Sequence, residues 1–386
     1  MSQRVDPTIK KDLLKFGVKD WNDCYHCGNC TAICPLTTDN TLFPRKAIRQ
    51  AQMGIKDSLL GNVDPWLCYY CGECTETCPR DANPGELMMS LRRYLTSKYD
   101  WTGLSRLFYT KHWFELAAII VMFIGVALLF TIPTLKNLTG NLVNEEGGVM
   151  INQLFPIHYV HYGDLAMAAG IGLLLITNIF NMWYKTILKP KVKVPFFSYI
   201  TGVFSLGFHF GTQAKFSKCD AKGKRYWGSH WLLMTGYTIM FILVVALLPY
   251  FQTEKIYEWY EPQRILGYYA TFGLVFGLFV MFIGRIRKTS EKFKFTHLSD
   301  WLFIIMLLLT TITGILVHFF RISGMVDATY WTYVIHLAIL VPMICIEVPF
   351  SKWSHLAYRP FAIYFAHLKK AAREKECKTV AAPAVA

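Results

Sequence analysis

Eight of the eleven cysteines occur in two runs of identical spacing. The first run reads Cys24-x2-Cys27-x2-Cys30-x3-Cys34-Pro35, and the second reads Cys68-x2-Cys71-x2-Cys74-x3-Cys78-Pro79. In such a run three closely spaced thiolates hold one cubane [4Fe–4S] cluster, and the cysteine before the proline serves the neighbouring cluster. We therefore predict one cluster on Cys24, Cys27, Cys30 and Cys78. We predict a second cluster on Cys68, Cys71, Cys74 and Cys34.

A pair of structural zinc sites is the alternative for these thiols, because zinc also binds clustered thiolates. Zinc sites usually use a repeated two-cysteine spacing with four ligands for each ion. The doubled four-cysteine run that ends in Cys-Pro favours clusters instead. The remaining cysteines, Cys219, Cys345 and Cys377, are scattered along the chain.

The composition predicts a membrane protein. Charged residues make up 17% of the 386 residues, against about a quarter in soluble domains, and 53% are hydrophobic. Six apolar segments each approach the roughly 20 residues that a helix needs to cross a bilayer. These segments are Trp113–Ile132, Tyr162–Met182, Trp231–Tyr250, Ile265–Ile283, Trp301–Phe320 and Tyr330–Pro349. We expect a domain over residues 1–110, a membrane domain over 111–360 and a basic cytoplasmic tail over 361–386.

The basic residues indicate how the chain crosses the membrane. The net charge is +14, but residues 1–112 hold 15 Lys and Arg against 12 Asp and Glu, so a nucleic-acid partner is not indicated. The loop over residues 185–229 carries nine basic residues and one acid, whereas the loop over 251–263 carries one basic residue and three acids. The positive-inside rule then places both termini in the cytoplasm, in a multi-pass inner-membrane protein. The first 16 residues show no apolar signal segment.

The histidines gather at two levels of the predicted bundle. His230, His355 and His209 belong to the cytoplasmic level. The outer level has His158, His161, His318 and His336, with Asp164 on the same helical stripe as His158 and His161. A b haem needs two imidazoles from different helices at one depth, so two levels predict two haems. A lone histidine on an apolar helix is more often a satisfied core residue, and only the pairing favours ligands.

Two resemblances add to this interpretation. Residues 20–95 resemble the small iron–sulfur subunit of heterodisulfide reductases, on the stretches WNDCYHCGNCTAICP, FPRKAIRQAQMG and WLCYYCGECTETCP. The membrane half resembles the cytochrome b that forms the gamma subunit of respiratory nitrate reductases, on SHWLLMTGY, DWLFIIMLLLTTITGILVHFFR, VIHLAIL and PFSKWSHLAYRP. The two halves in one chain resemble the membrane subunits of the quinone-interacting membrane-bound oxidoreductase complexes of sulfate reducers.

The resemblance implies an all-α protein, with a helical ferredoxin-like domain holding two [4Fe–4S] clusters followed by a six-helix cytochrome b bundle. It also implies two b haems, menaquinone and soluble flavin-containing partners that resemble the heterodisulfide reductase flavoprotein. Electron flow toward adenylylsulfate reductase follows from the same resemblance. The nitrate-reductase pattern places two haem ligands on one early helix, but here the third helix offers His230 and has Met240 at the second position.

We predict an inner haem on His230 and His355, with His209 as the next candidate. The outer haem is assigned to His161 and His336, with His158 or His318 as alternatives to His161. A quinol site needs proton acceptors, and we place it near the outer haem with His158 and Asp164 in that role. The alternatives are that these two residues are only interfacial and that the quinone binds at the cytoplasmic face near Glu347.

The sequence shows no dinucleotide-binding loop and no nucleophilic triad, so we expect electron and proton transfer and no independent substrate chemistry. Two other functions stay open. One is the same set of cofactors in a heterodisulfide-reductase-like or sulfite-pathway complex. The other is a structural membrane anchor that binds no haem.

Overall fold

The computed structural model describes residues 4–38, 41–218 and 225–381. Within those ranges the chain is helical, and its extended backbone is limited to the isolated bridges Thr38–Thr41 and Val143–Val149. The predicted all-α class is confirmed. Cys219 and residues 382–386 of the predicted tail lie outside the described residues.

Eight short helices build the N-terminal region, which is the name used here for residues 4–110. They are α1 (Ile9–Leu14), α2 (Asn29–Ile33), α3 (Arg45–Gln52), α4 (Lys56–Leu60), α5 (Asp64–Leu67), α6 (Glu73–Glu76), α7 (Pro84–Tyr99) and α8 (Leu104–Thr110). Their common core includes the fully buried side chains of Trp21, Trp66 and Tyr94. In α7 nearly every side chain is buried, so this helix is the central support of the region.

Thirteen further α-helical segments follow in the described residues. They are α9 (His112–Thr134), α10 (Ile151–Leu154), α11 (Ile157–Trp183), α12 (Phe196–Thr212), α13 (Ala214–Lys218), α14 (Arg225–Val245), α15 (Leu248–Phe251), α16 (Pro262–Arg287), α17 (Glu291–Lys294), α18 (Leu298–Ile322), α19 (Val326–Pro342), α20 (Val348–Phe350) and α21 (His355–Ala381). Turns of π-helix extend α11 over Tyr184–Leu188 and join α19 to α20 over Met343–Glu347.

Six helices are long and apolar enough to cross a membrane, as the sequence predicts. Their extents, which include adjoining turns, are His112–Leu138, Ile157–Leu188, Arg225–Val245, Pro262–Arg287, Leu298–Ile322 and Val326–Phe350. The third ends at Val245 instead of at the predicted Tyr250, because the chain turns before Pro249 and starts α15. Only 6% of the most apolar stretch of the first helix is buried, against 61% in the sixth, so the sixth helix is the centre of the bundle.

Glycines set the closest approach in the bundle. Helices α14 and α16 pack along each other, and a Cβ on Gly273 would stand 2.6 Å from the carbonyl oxygen of Leu232. A Cβ on Gly277 would likewise stand 2.9 Å from the carbonyl oxygen of Ser229. Small residues at such contacts let helix backbones approach in the manner common in membranes.

The N-terminal region packs on one end of the bundle, which we call the near side; the opposite end is the far side. The Asn181 amide, near the end of α11, donates a hydrogen bond to the carbonyl of Tyr99 at 2.7 Å. At this end α9, α14 and α18 begin, and α11, α16 and α20 end. The N-terminal region therefore lies beside the near-side histidines.

The last helix, α21, connects the two halves. It packs on α5 of the N-terminal region and on α12, and it buries Tyr358, Ala362, Phe365 and Leu368. The ammonium group of Lys369 donates to the carbonyl of Gly61 at 2.6 Å. The segment predicted as a basic tail from residue 361 thus begins inside a helix with one packed face. The predicted domain boundaries stay predictions.

Candidate functional site

The first cysteine set surrounds a cavity in the N-terminal region. Cys24, Cys27, Cys30 and Cys78 all line it, together with Arg45. Gly28 enters α2 with φ +96°, a left-handed conformation that suits glycine and lets the loop curl back on itself. The structure therefore brings together the four thiols that the crossed pattern assigns to one cluster.

The second set forms beside it. The thiol of Cys74 lies in the electrostatic field of Cys68, Cys71 and Cys34, and Gly72 repeats the left-handed turn with φ +99°. Helices α2 and α6 pack together, which carries Cys34 across to the second loop and Cys78 across to the first. Across the described residues, no three His, Cys, Asp or Glu side chains are close enough to share one metal ion. Four thiolates that each bind a different iron of a cube do not need that proximity.

Burial controls the protonation of these thiols. It raises the pKa of Cys34 to about 12 and also raises the pKa values of Cys30, Cys71 and Cys74. A thiol in such a place keeps its proton at neutral pH until a metal ion displaces it, so cluster binding here releases protons. Backbone N–H groups also contact two sulfurs, from Tyr70 to Cys68 at 3.3 Å and from Ala82 to Cys78 at 3.4 Å.

A larger cavity, which we call the junction cavity, lies between the N-terminal region and the bundle. Its volume is about 250 Å³, and His209, His230 and His355 all line it. Tyr69 and Tyr70, which separate Cys68 from Cys71 in the sequence, line it as well. The three predicted near-side histidines therefore share one cavity with the second cysteine loop.

Two of these histidines have a fixed ring orientation. The Nδ1 atom of His230 lies 2.9 Å from Oε1 of Gln213, and Nδ1 of His355 lies 3.0 Å from the carbonyl oxygen of Lys352. Each acceptor selects the tautomer with its proton on Nδ1 and leaves Nε2 available. Burial lowers the pKa of His355 to about 3, so this ring is neutral at physiological pH. His209 lines the same cavity, but its Nδ1 is buried without an acceptor among the described residues.

This arrangement fits a b haem. Imidazoles from α14 and α21 line the cavity with Nδ1 held by an acceptor, which leaves Nε2 of each available for bis-histidine ligation. Tyr237, Phe303 and Trp353 give the cavity aromatic walls. Arg359 also lines the cavity and would supply a cation for an anionic substituent of a macrocycle.

An aromatic chain joins the second cysteine loop to His230. The ring of Tyr69 stacks on Phe216 with centroids 5.2 Å apart and planes 5° apart. Phe216 in turn meets the ring of His230 edge-on at 5.6 Å. The guanidinium of Arg359, on α21 one turn beyond His355, lies 3.8 Å from the centre of the Tyr69 ring. The second cluster loop is thus in direct contact with the residues around the junction cavity.

The side chain of Arg92 also holds this loop in place. Arg92 donates to the carbonyl of Pro65 at 2.7 Å and to the carbonyls of Trp66 and Cys68. Burial lowers the pKa of Arg92 to about 9, and the nearby charge of Arg359 acts in the same direction. A positive charge beside a cluster stabilises its reduced form, because reduction adds negative charge.

The far side carries the second group of histidines. His336 on α19 has its Nδ1 atom 3.0 Å from Oγ1 of Thr313, and a Cβ on Gly314 would stand 3.2 Å from its ring. Gly314 therefore leaves room for the ring, and Thr313 fixes its orientation. Asp164 is buried on α11 and interacts electrostatically with His161 and with Tyr333 of α19, so its side chain faces α19.

The other far-side candidates differ from His336. Both ring nitrogens of His318 are engaged, because Arg264 contacts each of them and the Tyr268 hydroxyl lies 3.0 Å from Nε2. An engaged Nε2 disfavours His318 as a haem ligand. His161 has a buried Nδ1 without a partner among the described residues, and His158 is exposed beside the ring of Tyr159.

Three residues of the junction cavity were not among the sequence-predicted site residues. Gln213, Tyr69 and Phe216 become part of the site only when α12, α13 and the second cysteine loop meet. Two indole N–H groups of α14, from Trp227 and Trp231, donate to the last carbonyls of α12 and fix this meeting point. The available sequence signal was the pair Tyr69 and Tyr70 between Cys68 and Cys71. The first run has Tyr25 and His26 at the matching positions, so the second run differs by one tyrosine.

Comparisons with known proteins agree with the N-terminal assignment. Residues 20–82 match the family of 4Fe-4S dicluster domains. A protein of Archaeoglobus profundus that is similar to the C subunit of heterodisulfide reductase is 35% identical over 100 residues, which is 26% of this chain and 51% of the relative. The C2 subunit of the H(2)/formate:CoB-CoM heterodisulfide,ferredoxin reductase of Methanococcus maripaludis is 41% identical over 81 residues, which is 21% of this chain and 44% of the relative.

The similarity covers about half the length of these curated relatives, and no solved structure matches the chain. The N-terminal region is therefore similar to the iron–sulfur part of the C subunits of heterodisulfide reductases. The bundle and its histidines have no support from these comparisons.

Proposed function

We propose that this chain is a membrane electron-transfer subunit of an oxidoreductase complex, which moves electrons between two [4Fe–4S] clusters and a b haem in the junction cavity. The observation that carries the proposal is the shared lining of that cavity. His230, His355 and the second cysteine loop all reach it, so a cofactor bound there would lie beside the second cluster.

The residues of the chain have separate roles in this path. The first cysteine set receives or delivers electrons at the surface, where Cys27 is exposed, and the second set lies between it and the bundle. Gln213 and the carbonyl of Lys352 orient the two imidazoles. A bound b haem would supply a one-electron centre between its ferric and ferrous states. Tyr69 and Phe216 form the contact between the second loop and His230.

On the far side we propose a second haem on His161 and His336 and a menaquinol site with His158 and Asp164 as proton acceptors. The position of Asp164 between α11 and α19 and the oriented ring of His336 support this assignment. Quinol oxidation there would release protons on one side of the membrane while electrons cross to the other. The basic loops support a cytoplasmic near side, in the inner membrane, with both termini in the cytoplasm.

The partners would be soluble flavin-containing proteins that dock over the first cysteine set, and adenylylsulfate reductase would lie further along the electron path. The exposed Cys27 loop, with Arg80 stacked on Tyr25 at 4.4 Å, is a suitable contact surface. A heterodisulfide-reductase-like complex is the second candidate, favoured by the names of the two relatives.

Cofactor analysis of the purified chain tests the proposal. We expect about eight cluster irons per chain, from two cubes of four, together with b-type bands in the reduced-minus-oxidised visible spectrum. A protein with the clusters and without any haem band would be a structural anchor instead. Zinc in place of iron would contradict the cluster assignment itself.

A further inference from the structure

Two glutamates are completely buried on the near side, outside the sites described above. Glu115 lies in the first turn of α9, and Glu347 closes the π-helical turn between α19 and α20. Both have a relative exposure of 0%. Carboxylates are rarely buried so completely unless they are paired with a cation or have a function.

The two carboxyl groups lie close together around Ser351. The Ser351 hydroxyl donates to Oε1 of Glu115 at 2.7 Å, and the Ser351 backbone N–H donates to the backbone carbonyl of Glu347 at 3.3 Å. The backbone N–H of Lys352 donates to Oε2 of Glu347 at 3.2 Å. The other oxygen of each group, Oε2 of Glu115 and Oε1 of Glu347, is buried with no hydrogen-bond partner in the described part of the chain.

The neighbouring charges do not compensate this pair. The ammonium of Lys352 pairs with Asp300, the guanidinium of Arg285 lies 3.9 Å from the same carboxylate, and Arg93 pairs with Glu86 at 2.7 Å. No ion pair to Glu115 or Glu347 occurs among the described residues. Asp300 adds a further negative field at Glu347. Two neighbouring buried carboxylates without a counter-ion cannot both carry a charge without a large free-energy cost, so at least one of them holds a proton.

Titratable side chains also lie between the pair, the junction cavity and the surface. Tyr109 lines the junction cavity, and its hydroxyl lies in the field of Glu347 and Glu115. Its ring centroid is 6.1 Å from that of His297, which is 4.8 Å from the exposed His112. Burial raises the pKa of Tyr109 and lowers the pKa of His297 to about 3, so both groups are neutral at physiological pH.

We propose that Glu115 and Glu347 form a proton-binding site that takes up one proton when the junction cavity gains an electron and releases it when the electron leaves. The electron comes from the second cluster, and the proton comes from water at His112 through His297 and Tyr109. The added negative charge is cancelled by one proton, so the buried region keeps its total charge. The electron-linked part rests on the proposed haem, whereas the shared proton does not.

Infrared spectroscopy of the purified full-length chain separates these parts. In the oxidised protein at neutral pH we expect a protonated-carboxyl C=O band that shifts in D2O. This band should be lost or displaced in both Glu115→Gln and Glu347→Gln and retained in Glu258→Gln, a matched change at an exposed loop. Identical carboxyl bands in wild type and both buried variants would overturn the proton site, whether or not haem is present.

A redox titration tests the link to the electron. The midpoint potential of the near-side haem should fall as the pH rises in the wild type and in Glu258→Gln, and should become insensitive to pH in Glu347→Gln. An unchanged pH dependence in Glu347→Gln would overturn the electron-linked uptake. If no haem band exists, the proposed function fails, and the infrared bands alone decide the shared proton.

Discussion

The near and far sides of the bundle hold histidines in different settings. On the near side, three histidines share one cavity, and two of them have Nδ1 held by an acceptor. On the far side, only His336 has a comparable orientation among the described residues, while the nitrogens of His318 are engaged by Arg264 and Tyr268. A histidine at either depth is therefore a good candidate haem ligand only when Nδ1 has a hydrogen-bond partner and Nε2 stays available. The near side is therefore the better-defined of the two proposed haem sites.

The largest expected effect comes from removing one ligand on each side. His355→Ala should abolish the b-haem signal of the near side and leave the far-side signal, because the remaining imidazole cannot hold a bis-histidine haem. His336→Ala should do the reverse. Reduced-minus-oxidised spectra with a redox titration of both variants give the measurement. Loss of the same signal in both variants would end the distinction between the two sides.

A smaller effect is expected for the proton acceptors of the far side. In Asp164→Asn the reduction of the haems by a menaquinol analogue should slow by about 100-fold, the lower end of the range for a positioned acid or base. Stopped-flow spectroscopy measures the rate, and His158→Ala should show the same direction. Both haems must be present at wild-type amounts in each variant.

Unchanged rates in both far-side variants would move the quinone site to the near side, close to Glu347. The near side of the bundle would then hold both the quinone and the better-defined of the two proposed haems.

The hydrogen-bond acceptors behind the ligands should have a weaker effect. Gln213→Leu removes the acceptor of His230, and Thr313→Val removes that of His336. Loss of such a partner typically costs about 10-fold or more in affinity for a metal centre. During dilution or dialysis, Gln213→Leu should lose the near-side haem selectively, and Thr313→Val should lose the far-side haem. Haem retention equal to that of the wild type in both variants would show that these contacts do not orient the rings.

The smallest effect concerns the contact between the two halves. Tyr69→Leu removes the stacking on Phe216 and should destabilise the docked N-terminal region by about 1 kcal/mol, a typical value for an aromatic pair. The rate of limited proteolysis within the N-terminal region provides the readout. Phe319→Leu, at an exposed far-side position, is the control and should leave the cleavage rate unchanged.

Much of the cluster site could be predicted from the sequence because its ligands are local. Three cysteines of each set come from one loop, and only Cys34 and Cys78 depend on how α2 and α6 meet. The grouping of the near-side histidines at one depth of the bundle was predictable from the sequence. Their cavity was not, since Gln213 and Phe216 reach it only after α12 docks on α14.

The C-terminal segment shows a signal that composition conceals. Its many basic residues favour a cytoplasmic tail, yet Tyr358, Ala362, Phe365 and Leu368 recur at helical spacing and form a packed face. The contact between Glu115 and Glu347 is of a different kind, because the two residues lie in the first and the last membrane helix and neither has a local motif. Only the assembled bundle reveals such a pair.

We propose that the second cluster lies beside the near-side haem, and electron spin relaxation tests this placement most directly. In a partly reduced sample with the haem still ferric, the EPR signal of the second cluster should saturate at higher microwave power than that of the first. Cys34→Ser should remove or alter the fast-relaxing signal, and His230→Ala should slow its relaxation to that of the first cluster. Faster relaxation of the first cluster, or no change on loss of the near-side haem, would contradict the claim.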